Sequence, residues 1–144
     1  MKILIFSAFD PIPSDGVSTI RYGKLAEELM AHGHEVEYVT SSFFHLYKKQ
    51  RTSKTWLANS NPDRLSLEFI KTSGYQSNGL ARMRNHNQLA SGIKKYLSTI
   101  TQKPDVVVVA SPPLLAAHVL LSWAKQNKIK SYYDIQDAWP HEFE

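Results

Sequence analysis

Val106-Val107-Val108-Val109-Ala110 is an unbroken apolar run closed by Ser111-Pro112-Pro113. A strand that is apolar at every position has both faces in a core, so its sheet needs helices on either side, the habit of parallel sheets. Ile3-Leu4-Ile5-Phe6, within residues 2–7, repeats the pattern at the start of the chain. These two runs restrict the fold more than any other feature.

The segments between and after them alternate in type. Residues 8–17 hold Asp10, Pro11, Pro13, Ser14, Asp15 and Gly16 and read as a loop. A helix is predicted over 18–30, with Ser18 or Thr19 as N-cap and Tyr22, Leu25, Ala26 and Leu29 on one stripe. Gly33 suits the left-handed position beyond its last turn. Val36, Tyr38 and Val39 predict a second strand. Residues 41–64 read as irregular, with a short helix around 43–50. Residues 65–72 alternate as a third strand at an edge. Gly74, Asn78 and Gly79 break the chain before a helix over 80–100, whose inner face is Leu89, Ala90, Ile93, Leu97 and Ile100. Residues 114–126 are apolar almost all round, and 128–135 form the fifth strand.

This order predicts an α/β doubly wound, mostly parallel sheet with helices on both faces and right-handed crossovers. Ligands in such sheets bind beyond the C-terminal strand ends, near the switch point. Residues 8–19, 111–113 and 134–137 lie on that edge. The first loop, feeding a helix N-terminus, places backbone N–H groups where an anion can sit.

The 144 residues fit one domain with a real core. With no cysteine, disulfides, thiolate metal sites and cysteine nucleophiles are excluded. No apolar stretch approaches the roughly 20 residues of a membrane span. The net charge of +4 is unevenly placed: residues 41–104 carry eleven Lys/Arg against Asp63 and Glu68. That basic segment points either to a solvated surface or to an anionic partner. The first loop has one glycine rather than G-x-G-x-x-G, and Tyr38-Val39-Thr40-Ser41 supplies no acid for a ribose, which excludes the dinucleotide fingerprint. G-x-x-x-x-G-K-[ST] is absent. His32, His34 and His118 lack metal-ligand spacing and read as surface or packing residues; no metal is expected.

Four stretches together resemble the N-terminal domain of family 4 GT-B glycosyltransferases, in the bacterial branch that builds surface polysaccharides. They are Gly16-Val17-Ser18-Thr19-Ile20-Arg21 with the later Gly33-His34-Glu35-Val36; Lys71-Thr72-Ser73-Gly74-Tyr75 with Ser77-Asn78-Gly79-Leu80-Ala81-Arg82; Ser111-Pro112-Pro113-Leu114-Leu115; and Asp134-Ile135-Gln136-Asp137-Ala138-Trp139-Pro140. The resemblance implies a Rossmann-like acceptor-side domain, cytoplasmic or peripheral on the inner membrane face. It implies retaining transfer from a sugar nucleotide to a lipid-linked or saccharide acceptor, without a cofactor. Gly16, Thr19 and Arg21 would then lie on the donor diphosphate's side, and Ser111, Pro112 and Gln136 on the acceptor's. Gln136 stands where relatives carry a titratable residue and is no general base, so Asp137, with Asp134, is the candidate catalytic carboxylate.

Members of that family continue into a second domain, so this chain reads as a domain incomplete at its C-terminus and is expected to be inactive alone. Phe43, Phe44, Lys48, Lys49, Arg51, Lys54 and Trp56 read as a membrane-surface segment, because basic residues near anionic lipid contribute roughly 1 kcal/mol each. The fifth strand is expected to be an exposed edge through which copies could associate. The alternatives are a non-catalytic half that works with a separate partner chain, or a basic anion- or nucleic-acid-binding module. The last lacks any recognition-helix or RNA-platform signature, and no nucleic-acid partner is expected.

Overall fold

The computed structural model describes residues 1–18, 20–53, 56 and 62–136. Among these, the strands are β1 (Lys2–Phe6), β2 (Glu35–Ser41), β3 (Phe43–Phe44), β4 (Lys49–Gln50), β5 (Leu65–Ile70), β6 (Val106–Ser111) and β7 (Lys130–Ile135). The α-helices are α1 (Arg21–Ala31), α2 (Leu80–Thr99) and α3 (Leu114–Gln126). Five strands pair in the order β5-β2-β1-β6-β7, every pair parallel. Ile5 lies opposite Tyr38 on one side and Val108 on the other, which sets the central register. The chain runs outward from β1 to β2 and β5, then returns through α2 to β6. The switch point therefore lies between β1 and β6.

Alternation along the apolar runs divides the core in two. Leu4, Phe6, Val39, Val107 and Val109 pack with Leu89, Ile93 and Leu97 of α2 and Ala116, Leu120 and Ala124 of α3. Ile3, Ile5, Val36, Tyr38 and Leu67 pack on the opposite face with Tyr22, Ala26 and Met30 of α1. This is the arrangement expected of a mixed α/β, Rossmann-like fold with helices on both faces. Helix α3 is less covered than its composition predicts: Leu114, Leu115 and His118 are exposed. It lies over the β7 end of the sheet, where nothing among the described residues packs on its outer side. Tyr132, Tyr133 and Ile135 of the outermost strand are exposed as well.

Two local expectations need correction. Helix α1 begins at Arg21, after Ile20, and no neighbouring side chain caps it. Residues 43–50 form no helix; β3 and β4 make a short antiparallel hairpin. Lys48 sits at φ 51°, which no right-handed helix accommodates. The hairpin is held by polar bonds: Ser42 Oγ donates to Gln50 Oε1 at 2.9 Å, and Gln50 Nε2 donates to the Thr72 carbonyl at 2.9 Å. Phe43 and Phe44 are thereby buried, at 4% and 3% exposure.

Helix α2 approaches β5 closely at Gly92, where an added Cβ would run into Ile70 Cγ2. Glycine within a helix ordinarily costs about 1 kcal/mol relative to alanine. Here overpacking of the buried, β-branched Ile70 costs about 1–3 kcal/mol. Gly92→Ala is therefore expected to lower stability, or at best leave it unchanged, in urea unfolding. A gain of about 1 kcal/mol would show that α2 and β5 are not in contact there.

Candidate functional site

The loop leaving β1 at the switch point is organised by two aspartates. Asp10 is 7% exposed, and its Oδ2 accepts the Tyr22 amide at 3.0 Å. The cap of α1 thus comes from 12 residues upstream, and a carboxylate of the chain itself occupies the helix N-terminus. Burial raises the Asp10 pKa, an effect partly offset by the Tyr22 amide and by Arg21 and Arg51. Asp15 closes the 3-10 turn Pro13–Asp15 by accepting the Ile12 amide at 2.9 Å.

Arg51 anchors that loop to the end of β2. Its Nε donates to both Asp15 oxygens at 3.0 and 3.1 Å, and Nη2 donates to Oδ2 at 2.7 Å. Nη1 reaches Thr40 Oγ1 at 2.9 Å and the Ser41 carbonyl at 2.8 Å, while Nη2 also reaches the Asp10 carbonyl at 2.8 Å. The two side chains are 1% and 4% exposed. A guanidinium can be buried in this way because its planar fork finds an acceptor in each direction.

Across the crevice, the end of β7 meets the start of α1. Asp134 Oδ2 accepts the Tyr22 hydroxyl at 2.6 Å and Arg21 Nη1 at 2.9 Å. Gln136 Nε2 donates to the Tyr22 hydroxyl at 3.0 Å, and the Gln136 backbone N–H donates to the Ser111 carbonyl at 3.2 Å. The bond from Tyr22, then the one from Arg21, hold the Asp134 carboxyl below its ordinary value. Burial and the Asp134 bond push the Tyr22 phenol up to about 12. Neither group changes protonation near neutral pH. Among the described residues no group of three His or acidic side chains could hold a metal.

The structure brings Arg21, Asp134, Gln136 and Ser111 together from three separate segments. Gly16 lies at φ 78°, exposed, with its amide donating to Pro13 at 3.2 Å; it acts as a turn glycine. Pro112 follows the buried Ser111 through a cis peptide bond. Thr19, Lys54 and Asp137 lie outside the described residues. Burial takes several members out of the set read as a membrane surface. Phe43, Phe44 and Arg51 are inside, Lys48 is half-buried, and Trp56 packs its ring 5.1 Å from that of Tyr38. Only Lys49 is exposed among the described members of that set. Sequence reasoning missed Asp10 and Tyr22 as site residues. An aspartate in a helix-entry loop was the available signal, but its partner is 12 residues away.

No family model matches the sequence, and no curated protein matches it. Solved structures with the same fold include the C-terminal domain (residues 83–215) of PF1911 hydrogenase from Pyrococcus furiosus. It is 17% identical, with a TM-score of 0.59, over 92% of this chain and 90% of that one. A longer piece of the same domain (residues 78–226) aligns over the same shares with a TM-score of 0.56 and 17% identity. At this identity the likeness shows the fold alone. These neighbours are hydrogenase domains and not GT-B domains, which overturns the resemblance to family 4 glycosyltransferases. With it go the transferase activity, the sugar-nucleotide donor and the lipid-linked or saccharide acceptor. At the site itself, the Tyr22 amide at the start of α1 is already taken by Asp10 and is not free for an anion. Among the described residues no helix is long and apolar enough to cross a membrane.

Proposed function

We propose that this domain binds a small dipolar molecule at the switch-point crevice, through Arg21, Asp134 and Gln136. The carrying observation is that both bonds to Asp134 fall on Oδ2. Its Oδ1 has no partner among the described residues and lies beside a guanidinium whose side chain is 58% exposed. An exposed ion pair of this kind contributes only about 0–1 kcal/mol to stability, so a ligand displaces it at small cost. A ligand with a cationic or donor group for Asp134 and an anionic group for Arg21 matches both charges. The free α-amino acids are the simplest molecules that carry the two groups at short spacing. Tyr22, itself held by Gln136, keeps the carboxylate in place while the ligand enters.

Amide chemical-shift titration with the twenty free amino acids tests the reading. At least one should bind with a Kd of about 1 mM or tighter, roughly −4 kcal/mol. Asp134→Asn and Arg21→Gln should each weaken that binding about tenfold, or 1.4 kcal/mol. Absence of saturable shifts near residues 21 and 134, or unchanged affinity in Asp134→Asn, overturns it.

A further inference from the structure

We propose a second site, on the other side of the β1 loop, in which Lys48 and Arg82 with His45 and His86 hold the phosphate group of a soluble phosphate monoester against the Tyr75 ring. It does not rest on the reading of the Arg21–Asp134 crevice. Asp10 turns toward α1, whereas its neighbour Phe9 turns toward α2, with ring centroids 5.1 Å from His45 and 6.0 Å from His86. Tyr75, in the loop after β5, stands 6.3 Å from His45 and 6.5 Å from His86, centroid to centroid. Lys48 Nζ lies 4.4 Å over the Tyr75 ring, and the Arg82 guanidinium carbon lies 6.0 Å from the same ring. Four separate segments of the chain thus converge on one aromatic floor at the carboxyl edge of the sheet.

The charges there are unbalanced. Neither Lys48 nor Arg82 has a carboxylate partner among the described residues; Arg82 donates to Asn78 Oδ1 at 3.0 Å. Lys48 Nζ lies 3.3 Å from His45 Nδ1, and the Tyr75 hydroxyl lies 3.2 Å from the same nitrogen. An ammonium can only donate, so Nδ1 is the acceptor and the neutral His45 ring carries its proton on Nε2. That leaves a second N–H donor for an anion. His86 Nε2 is shielded from water and has no hydrogen-bond partner among the described residues, a costly state for a buried polar atom; a ring turn that brings an N–H of His86 to an anion's oxygen would relieve it. Burial first, then the nearby cations, lower the pKa values of both histidines, so the rings wait neutral beside fixed positive charge. The groups facing the site are Lys48, His45, Tyr75, Arg82 and His86.

The parts are also fixed in position. Lys48 holds φ 51°, an uncommon conformation for a residue other than glycine. The Gly74 amide donates to Asn85 Oδ1 at 2.9 Å and the Ser73 amide donates to Gln88 Oε1 at 2.8 Å, tying the loop that carries Tyr75 to α2. Cations over aromatic rings also occur as plain packing. Two cations without a carboxylate partner among the described residues, with an orphaned imidazole nitrogen, are more than packing requires. They suit a dianionic tetrahedral group, which takes two positive charges and several N–H donors.

The test is a ring-proton titration of the histidines with inorganic phosphate at constant ionic strength. His45 and His86 should shift saturably and together, while His32, His34 and His118 should not. Phosphate should raise the pKa values of His45 and His86, because an anion that binds the protonated site better must, by linkage, favour its protonation. Lys48→Gly, which suits the positive φ and removes the cation, should weaken binding at least tenfold, as should Arg82→Gln. Equal thermal midpoints certify folding, and either variant alone carries the test. Shifts that do not saturate, that involve every histidine equally, or that persist at wild-type affinity in either folded variant overturn the proposal.

Discussion

Arg51→Ala is expected to lose about 3–5 kcal/mol of folding stability, the range for removing one partner of a buried ion pair. The loss comes less from the missing attraction than from what remains. Asp15, with a side chain 4% exposed, would keep a carboxylate without its counter-ion. Thr40 Oγ1 and the Ser41 and Asp10 carbonyls would lose a charged donor at the same time. Water entering the vacated volume would recover part of this, so the lower half of the range is expected in urea unfolding. Arg51→Lys should recover little, because one ammonium cannot reach Asp15, Thr40, Ser41 and Asp10 together. A loss under about 1 kcal/mol, the value of an exposed pair, would show that Arg51 is in contact with water. The midpoint, and not only the slope, should move, since the loop after β1 and the end of β2 unfold with the rest.

Gly74→Ala is expected to cost about 2–5 kcal/mol from two separable sources. Gly74 lies at φ 73°, where an L-residue pays about 1–2 kcal/mol. Its added Cβ would also stand 2.6 Å from Phe43 Cε2 and nearer still to Cδ2, in a ring 4% exposed. Forcing a buried ring aside costs about 1–3 kcal/mol. Phe43→Leu in the Gly74→Ala background separates the two, because a smaller side chain relieves the steric part and leaves the backbone part. The double mutant should be less destabilised than the sum of the single changes by about 1 kcal/mol or more, as contacting residues allow. Strict additivity would place the strain wholly in the backbone.

Much of the fold was legible from local pattern. The runs at Ile3–Phe6 and Val106–Ala110 predicted strands buried on both faces, and β1 and β6 are the paired centre of the sheet. The spacing of Leu89, Ile93 and Leu97 found the inner face of α2, and Gly33 sits at φ 82° as its place beyond α1 required. These succeed because the signal and its cause are a few residues apart. The hairpin at residues 43–50 failed for the opposite reason. Its aromatic residues carry no period of their own, and its geometry is set by Ser42, Gln50 and Thr72, which meet only after the sheet forms.

The failed family reading has the same origin. Gly16-Val17-Ser18-Thr19 and Gly33-His34-Glu35-Val36 mark how an α/β chain enters and leaves its first helix, and such marks recur wherever that geometry does. They say nothing of what fills the helix N-terminus, and here it is Asp10. Basic residues between 41 and 64 likewise looked like one surface in linear order. Folding sends Arg51 inward to Asp15, puts Lys48 over Tyr75 and leaves Lys49 in water.

By itself the sequence determined the α/β class, the parallel sheet, the amphipathic faces of its helices and the absence of thiol chemistry. Each follows from residue type and short-range periodicity. Only the tertiary structure decided which charges are buried, which carboxylate caps α1, and which side chains converge at the carboxyl edge. Arg51 and Asp15, Tyr22 and Asp134, and His45 and Tyr75 are separated by 36, 112 and 30 residues. Charge and hydrogen bonding act over a few ångströms, so such partners exist only once the sheet has brought the strand ends together.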